Sequence, residues 1–302
     1  MEHIDNPLSD VFIQFGDFKI FYYSVMILLG IIIAVILGIK EGKKLGISSD
    51  LILDGVIIIV PLSIIGARLY YVIFEWDQYS SNLISILDLR SGGLAIHGGI
   101  IVAFVSAYIY TRIKKVSILR IIDLMAPGFM IAQASGRWGN FFNQEAHGGV
   151  IGGVTNNVPV LSLDAQREFL EKTLHLPKVI ANNMYINGPD GFNYYHPTFL
   201  YESSWNVVGF IIVLFLRRTK WVRSGDLLGF YFMWYSIGRF FIEGMRTDSL
   251  YVGNTGLRTA QIISIVMFIG GLAFIIFNHY FLKTEKYADA LEKEKQKINV
   301  EA

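Results

Sequence analysis

Cysteine is absent from all 302 residues. Its absence excludes disulfides, thiolate metal sites and a cysteine nucleophile supplied by the chain, so thiol chemistry here needs a substrate's thiol. Charge is scarce as well: Asp, Glu, Lys and Arg make up 17% of the residues, against about a quarter in a soluble domain. The net charge of +1 gives no electrostatic reason to expect nucleic acid as a partner. There is no internal repeat. The residues before the first apolar run include Glu2, Asp5, Asp10 and Asp17 and no basic n-region, so that run is read as retained and not as a signal peptide. What is present is apolar: 53% hydrophobic, 14% aromatic, mean hydropathy +0.46. These values describe an integral membrane protein.

Crossing a hydrocarbon core about 30 Å thick takes about 20 helical residues. Seven stretches qualify: Phe21 to Ile39, Leu51 to Phe74, Leu94 to Tyr110, Ile121 to Asn143, Phe199 to Leu216, Leu227 to Ile242 and Thr259 to Phe277. Basic residues gather in alternate connections: Lys40, Lys43 and Lys44; Arg112, Lys114, Lys115 and Arg120; Arg217, Arg218, Lys220 and Arg223; and the tail's Lys283, Lys286, Lys293, Lys295 and Lys297. By the positive-inside rule those faces are cytoplasmic. The expected fold is therefore an all-α polytopic membrane protein of about seven transmembrane helices, amino terminus outside and carboxyl terminus cytoplasmic. Residues 1–282 form the transmembrane catalytic domain, 144–197 within it make a small extracytoplasmic cap, and 283–302 make a charged cytoplasmic tail. Within the cap, Ser162 to Leu174 has helical spacing and Asn182 to Tyr195 reads as loop or short strands.

Ionisable residues at membrane depth cost about 2.5 to 3.5 kcal/mol each near a helix centre, which makes them candidates for function. Here they are Asp54, Arg68, His97, Asp123, Arg137, Glu202, Arg239 and Glu243. Asp54 is expected at the interface, and Arg68 is expected to snorkel outwards. Arg239 and Glu243, spaced i, i+4, can pair on one helical face. His97 sits in SGGLAIHGG, whose glycines allow the backbone to leave the helix or admit a close neighbour. It is either a histidine bonded between helices or a base in a cavity.

GRWGNFFNQEAHGG, Gly136 to Gly149, ends the fourth stretch with Arg137, Asn140, Asn143 and Glu145 close together, while Gly136 and Gly139 permit close packing. Arginine's planar fork suits a phosphate, and at an outer membrane face the abundant phosphate is a phospholipid head group. HPTFLYE leads into the fifth stretch. YSIGRFFIEGMR places Tyr235, Arg239 and Glu243 along one face and ends on Arg246.

These pieces together resemble the prolipoprotein diacylglyceryl transferase family, whose signature GRWGNFFNQEAHGG fits at Gly136, Arg137, Gly139, Asn140, Phe141, Asn143, Glu145 and Gly148. FYYSVMILLG, GARLYYV, GGLAIHGG, DLMAPG, HPTFLYE and YSIGRFFIEGMR are similar to the family in the same order, with Ser24 and Ser236 standing where glycine is commoner. The resemblance implies transfer of the diacylglyceryl group from phosphatidylglycerol to the lipobox cysteine of a prolipoprotein signal peptide, leaving a thioether and glycerol 1-phosphate. It implies a bacterial inner-membrane enzyme facing outwards, with the lipid bilayer as its medium, no cofactor and no metal. Carried over by motif position, Arg137 binds phosphatidylglycerol with Asn140 and Asn143 shaping the pocket. Arg239 takes the leaving phosphate, supported by Tyr235 and Glu243, and His97 matches the family's general base. Glu145, Gly148, Tyr23 and Arg246 complete the donor site; of these Glu145, Gly148 and Tyr23, together with His196 and Glu202, are expected to act by supporting it. The alternative reading, a transporter or channel for an anionic solute, fits poorly with the lack of repeats and with polarity gathered at one face.

Overall fold

The computed structural model describes residues 8–89, 92–253 and 255–301; Glu2, Asp5 and the ends of some loops named above, Arg90, Ser91 and Asn254 among them, lie outside the described residues. Seven long helices follow the apolar stretches closely: α1 (Tyr22–Gly42), α2 (Ser49–Phe74), α3 (Ile96–Ile113), α4 (Ile118–Phe142), α5 (Thr198–Leu216), α6 (Asp226–Met245) and α7 (Thr259–Phe277). Among the described residues, six of them are long and apolar enough to cross a membrane. The exception is α6, which has 20 residues and thus sufficient length, but carries Asp226, Arg239 and Glu243. Arg239 and Glu243 both lie in its second half.

The chain divides into two compact units, Met1–Ala34 with Ala126–Ala288, and Val35–Met125 with Asp289–Ala302. In the first, α5 and α6 lock through two tryptophans: the Trp205 and Trp234 rings stack 4.2 Å apart, and each indole N–H donates to the other's carbonyl at 2.8 and 2.9 Å. Each ring thereby brings its polar N–H into the helix pair without leaving it unsatisfied. The amino terminus, expected only to lie outside, forms an antiparallel hairpin, β1 (Val11–Phe15) and β2 (Phe18–Phe21). Its Phe12, Phe15, Phe18 and Phe21 are exposed.

Residues 144–197, where the cap is expected, share a buried core with the ends of α4 and α5. Short hairpins β3 (Val154–Thr155) with β4 (Val158–Pro159) and β5 (Tyr185–Gly188) with β6 (Gly191–Tyr194) flank helical turns at Leu163–Glu168 and Lys178–Asn183. Ile151, Leu170, Ala181, Met184, Tyr194 and Tyr195 are buried together with Phe141 of α4 and Phe199 of α5. Gln166, fully buried, holds the layers: its side chain donates to Leu161 O and Asn193 Oδ1 and accepts from Tyr194 N. The cap core thus grips the ends of the two helices that carry Arg137 and Glu202.

In the second unit, Arg68 corrects the expectation of a snorkelling side chain. It is buried, and its guanidinium donates to the carbonyls of Ser85, Ile86, Asp88, Gly92 and Gly93 at 2.7 to 3.0 Å. Five N–H donors in a fixed fork find a ring of acceptors close by, so burial leaves none of them unmade. Asp54 is half-exposed and 3.6 Å from Lys114, as an interfacial residue should be. The tail, read as a charged stretch, contains the helix α8 (Tyr287–Glu301).

Candidate active site

Three helix ends of the first unit converge. Residues 148–151 run between two neighbours as an irregular ladder: Gly148 N donates to His196 O, His196 N to Gly149 O, Gly149 N to Met245 O and Ile151 N to Tyr194 O, all at 2.9 to 3.1 Å. The end of α4, the start of α5 and the end of α6 are tied at one level. Gly148 explains itself here, because a Cβ would come within 2.8 Å of His196 Cβ and 3.3 Å of Met245 O. Gly139 likewise lets Tyr23 of α1 lie against α4, where a Cβ would approach Tyr23 Cα at 3.1 Å. Gly136, expected to pack closely, instead has open space beside it. Gly139 and Gly148 thus act through the backbone, by admitting close neighbours.

At that level Glu202 stands between two arginines. Arg137 Nη2 is 2.7 Å from Glu202 Oε1, and Arg239 Nη1 is 3.5 Å from Glu202 Oε2. Arg239 Nη2 also pairs with Glu243 Oε2 at 2.8 Å, so the i, i+4 pair read from the sequence forms. Both carboxylates are nearly inaccessible, at 4% and 3%, while Arg137 and Arg239 keep 21% and 17% of their surface. Glu202 Oε1 and Glu243 Oε2 are close to their arginines without being aligned for hydrogen bonds. Contacts of that kind are held by charge.

The GRWGNFFNQEAHGG residues form a relay beside this cluster. Arg137 Nη1 donates to Asn140 Oδ1 at 3.2 Å, and the amides of Asn140 and Asn143 both donate to Glu145 Oε1, at 2.7 and 3.3 Å. Glu145 therefore fixes which face of Asn140 meets Arg137. Tyr23, Asn143 and Glu145 also line a cleft of about 740 Å³ with Asp10 and Phe21 of the amino-terminal segment. Tyr235, one turn below Arg239 on α6, stacks against Tyr231 with ring centres 6.1 Å apart. Arg246 meets Asp248 through both Nε and Nη2, at 2.9 and 2.8 Å; the arginine and its hydrogen bonds hold the Asp248 carboxyl below its ordinary value of 3.8.

The structure thus brings together Arg137, Asn140, Asn143, Glu145, Tyr235, Arg239 and Glu243, with Gly148 and Arg246 in the backbone ladder. His97 belongs to the second unit, in the first turn of α3, exposed, with its ring centre 6.3 Å from that of Tyr70. Gly92 and Gly93 before it have φ of 85° and 75°, and a Cβ on Gly98 would overlap Tyr70 of α2, so the glycines serve both purposes expected of them. Glu202 takes a more central place than expected. Arg258, not among the candidates expected from the sequence, donates to the carbonyls of Glu243 and Arg246 and to Ser249 Oγ, a cation closing the carboxyl end of α6. Its signal was available: an arginine directly before the seventh apolar stretch, in the connection that also holds Arg246.

His196 lies at the entrance to α5, its Nδ1 3.1 Å from the Tyr201 hydroxyl. Burial holds its imidazole below the ordinary 6.5. The folded state therefore favours the neutral ring, and stability falls as the pH drops through about 6.5, where the unfolded chain takes up the proton. Thermal midpoints between pH 7.5 and 5.5 should fall more steeply for the wild type than for H196Q; parallel curves would remove His196 as the cause.

Residues 10–277 match the family described as prolipoprotein diacylglyceryl transferase. The chain belongs to that family. It is 46% identical over 290 residues to the phosphatidylglycerol–prolipoprotein diacylglyceryl transferase of Halalkalibacterium halodurans, an alignment covering 96% of this chain and 93% of the relative. The enzyme of the same name from Listeria innocua is 46% identical over 283 residues, 94% of each chain, and that of Bacillus cereus 44% over 279 residues, 92% of this chain and 95% of the relative. Prolipoprotein diacylglyceryl transferases are transferases, and nothing in these matches supports the transporter or channel alternative.

Proposed function

We propose that this multi-pass membrane protein transfers the diacylglyceryl group of phosphatidylglycerol to the cysteine thiol of a prolipoprotein, and that it does so at the Arg137–Glu202–Arg239 cluster. The observation that carries the assignment of the site is the pair of arginines bridged by one buried carboxylate, with the 3.5 Å leg to Arg239 its loosest contact. A phosphodiester entering here meets the exposed edges of the two guanidiniums, which Glu202 holds facing each other. The thiolate sulfur forms a bond to the glyceryl carbon, the bond from that carbon to the phosphate oxygen breaks, and the electron pair leaves with glycerol 1-phosphate. Charge grows on the phosphate as the bond breaks, so cations preorganised around it act mainly in the transition state. The thiol, with an ordinary pKa near 8.5, must first lose its proton. His97 is the proposed acceptor on the strength of its motif position, and Tyr235 and Glu243 orient Arg239.

Orientation is part of the same proposal. Lysines and arginines gathered in alternate connections support a reading in which the cap and the site face outwards, and the family resemblance supports a bacterial inner membrane, where signal peptides present their lipobox. Two arginines and two glutamates make the cluster neutral before the donor arrives, so the incoming anion meets fixed donors and no excess of cations. Incubation of the purified protein with phosphatidylglycerol and a lipobox peptide is expected to add one diacylglyceryl mass to the cysteine, read by mass spectrometry. Folded protein that yields no adduct overturns the proposal.

A further inference from the structure

We infer that Asn206, in a polar layer one helical turn below the arginine pair, donates a hydrogen bond to an ester carbonyl of the donor lipid. The inference rests on the reading of Arg137 and Arg239 as the seat of the donor phosphate. The layer follows from the register of three helices. Gln133 precedes Arg137 by four residues on α4, Tyr235 precedes Arg239 by four on α6, and Asn206 follows Glu202 by four on α5, which starts at the cap where α4 and α6 end. Each step of four residues is about 6 Å along the helix. The ion pairs fix Arg137, Glu202 and Arg239 at one level, so the other three residues share the next.

Polar side chains in that layer are short of partners. Asn206 is fully buried, and neither its amide nitrogen nor its amide oxygen has a hydrogen-bond partner among the described residues. Gln133 donates to the Tyr231 hydroxyl at 2.8 Å, but its own Oε1 is likewise unpartnered. By contrast Ser203, one turn nearer the cap on α5, is satisfied through the carbonyl of Ala134 at 3.0 Å. A buried primary amide with all its hydrogen bonds unmade is costly, and at membrane depth bulk water does not meet it.

The chemistry of a glycerophospholipid fits the position. Its ester carbonyls are acceptors only, and they lie a few bonds nearer the bilayer centre than the phosphate. The carbon that the thiolate attacks lies between the phosphate and the ester-bearing carbons. Arginines on one side and the Asn206 N–H on the other hold the glyceryl unit at two points, which restricts how that carbon is presented to the incoming thiolate. A site that donates to a substrate acceptor also discriminates against the analogue that lacks it.

The full-length protein is assayed with a lipobox peptide and two donors, diacyl phosphatidylglycerol and its dialkyl ether analogue, which keeps the phosphate and chains but has no carbonyls. The wild type is expected to prefer the diester on the order of tenfold in kcat/KM, the worth of one neutral hydrogen bond. N206L, branched at the same carbon and unable to donate, is expected to bring that ratio towards one. N206A serves as the second variant, read only as the same ratio, in case the leucine protein does not fold. A wild type that uses both donors equally overturns the inference, as does a loss in the variants that is the same for both donors, which would make Asn206 a packing residue. A wild type that transfers from neither donor overturns the functional reading instead.

Discussion

Replacing Arg239 by alanine is expected to lower kcat by about 10²- to 10³-fold and to raise the KM for phosphatidylglycerol. Removing one preorganised charge donor from a site where negative charge develops has that order of effect. Both parameters move because the same guanidinium faces the donor phosphate before and during bond breaking. Stability falls too: Glu243, 3% accessible, loses its cation, and stripping one partner from a buried pair costs about 3 to 5 kcal/mol. Arg239 keeps 17% of its surface, so the low end of that range applies. The double variant R239A/E243Q removes the stranded carboxylate and should recover thermal stability without recovering activity. Steady-state kinetics and thermal melts on the two proteins separate the effects, and activity that returns with stability would exclude Arg239 from the chemistry. R239K should not rescue, because an ammonium lacks the fork that lets one side chain meet Glu243 and Glu202 from two nitrogens.

The second large effect is expected at Glu202, with a different kinetic signature. E202Q keeps the shape of the side chain and turns a neutral cluster of Arg137, Arg239, Glu202 and Glu243 into one of net charge +1. An anionic donor is attracted more strongly, so its KM should stay level or fall. The two guanidiniums lose the carboxylate that holds them facing each other, and kcat should fall by about 10²-fold, the order of effect of losing one oriented donor. The departing phosphate monoester, more highly charged than the diester, should also leave more slowly. Lower kcat with unchanged or lower KM is thus the mark of a carboxylate that orients the arginines. A rise in KM with kcat unchanged would show that Glu202 serves donor binding alone. Arg137 loses its 2.7 Å partner in this variant, and about 2 kcal/mol of stability with it, discounted for the arginine's exposure.

Both expectations depend on one residue whose importance was only half visible in the sequence. HPTFLYE marked Glu202 as an acid at membrane depth, but nothing along the chain says which of three arginines it faces. The Arg239–Glu243 pair was legible because both lie on α6 at i, i+4, a spacing that fixes the contact within one element. Arg137 to Glu202 spans the whole cap, and its geometry is set by the ladder of residues 148–151 and by the cap core at Phe141 and Phe199. For the same reason Arg68 was misread: its acceptors are carbonyls of a loop, and backbone carbonyls leave no mark on composition. Asn206 was passed over because an asparagine in an apolar helix is unremarkable until its lack of partners is known.

The sequence by itself determined the membrane class, the position of all seven long helices to within a few residues, the local polar pairs and, through GRWGNFFNQEAHGG, the chemistry to expect. The first three follow from hydropathy and from contacts within a turn of helix, both properties of neighbours along the chain, and the last from the resemblance of that motif to the family's. Only the tertiary structure decided that one buried carboxylate joins Arg137 to Arg239, that the cap's core seats the helices carrying them, and that a second polar layer lies a turn below. Those features depend on which faces of α4, α5 and α6 meet and at what height. Packing of side chains distant in sequence fixes that height, and no local pattern records it.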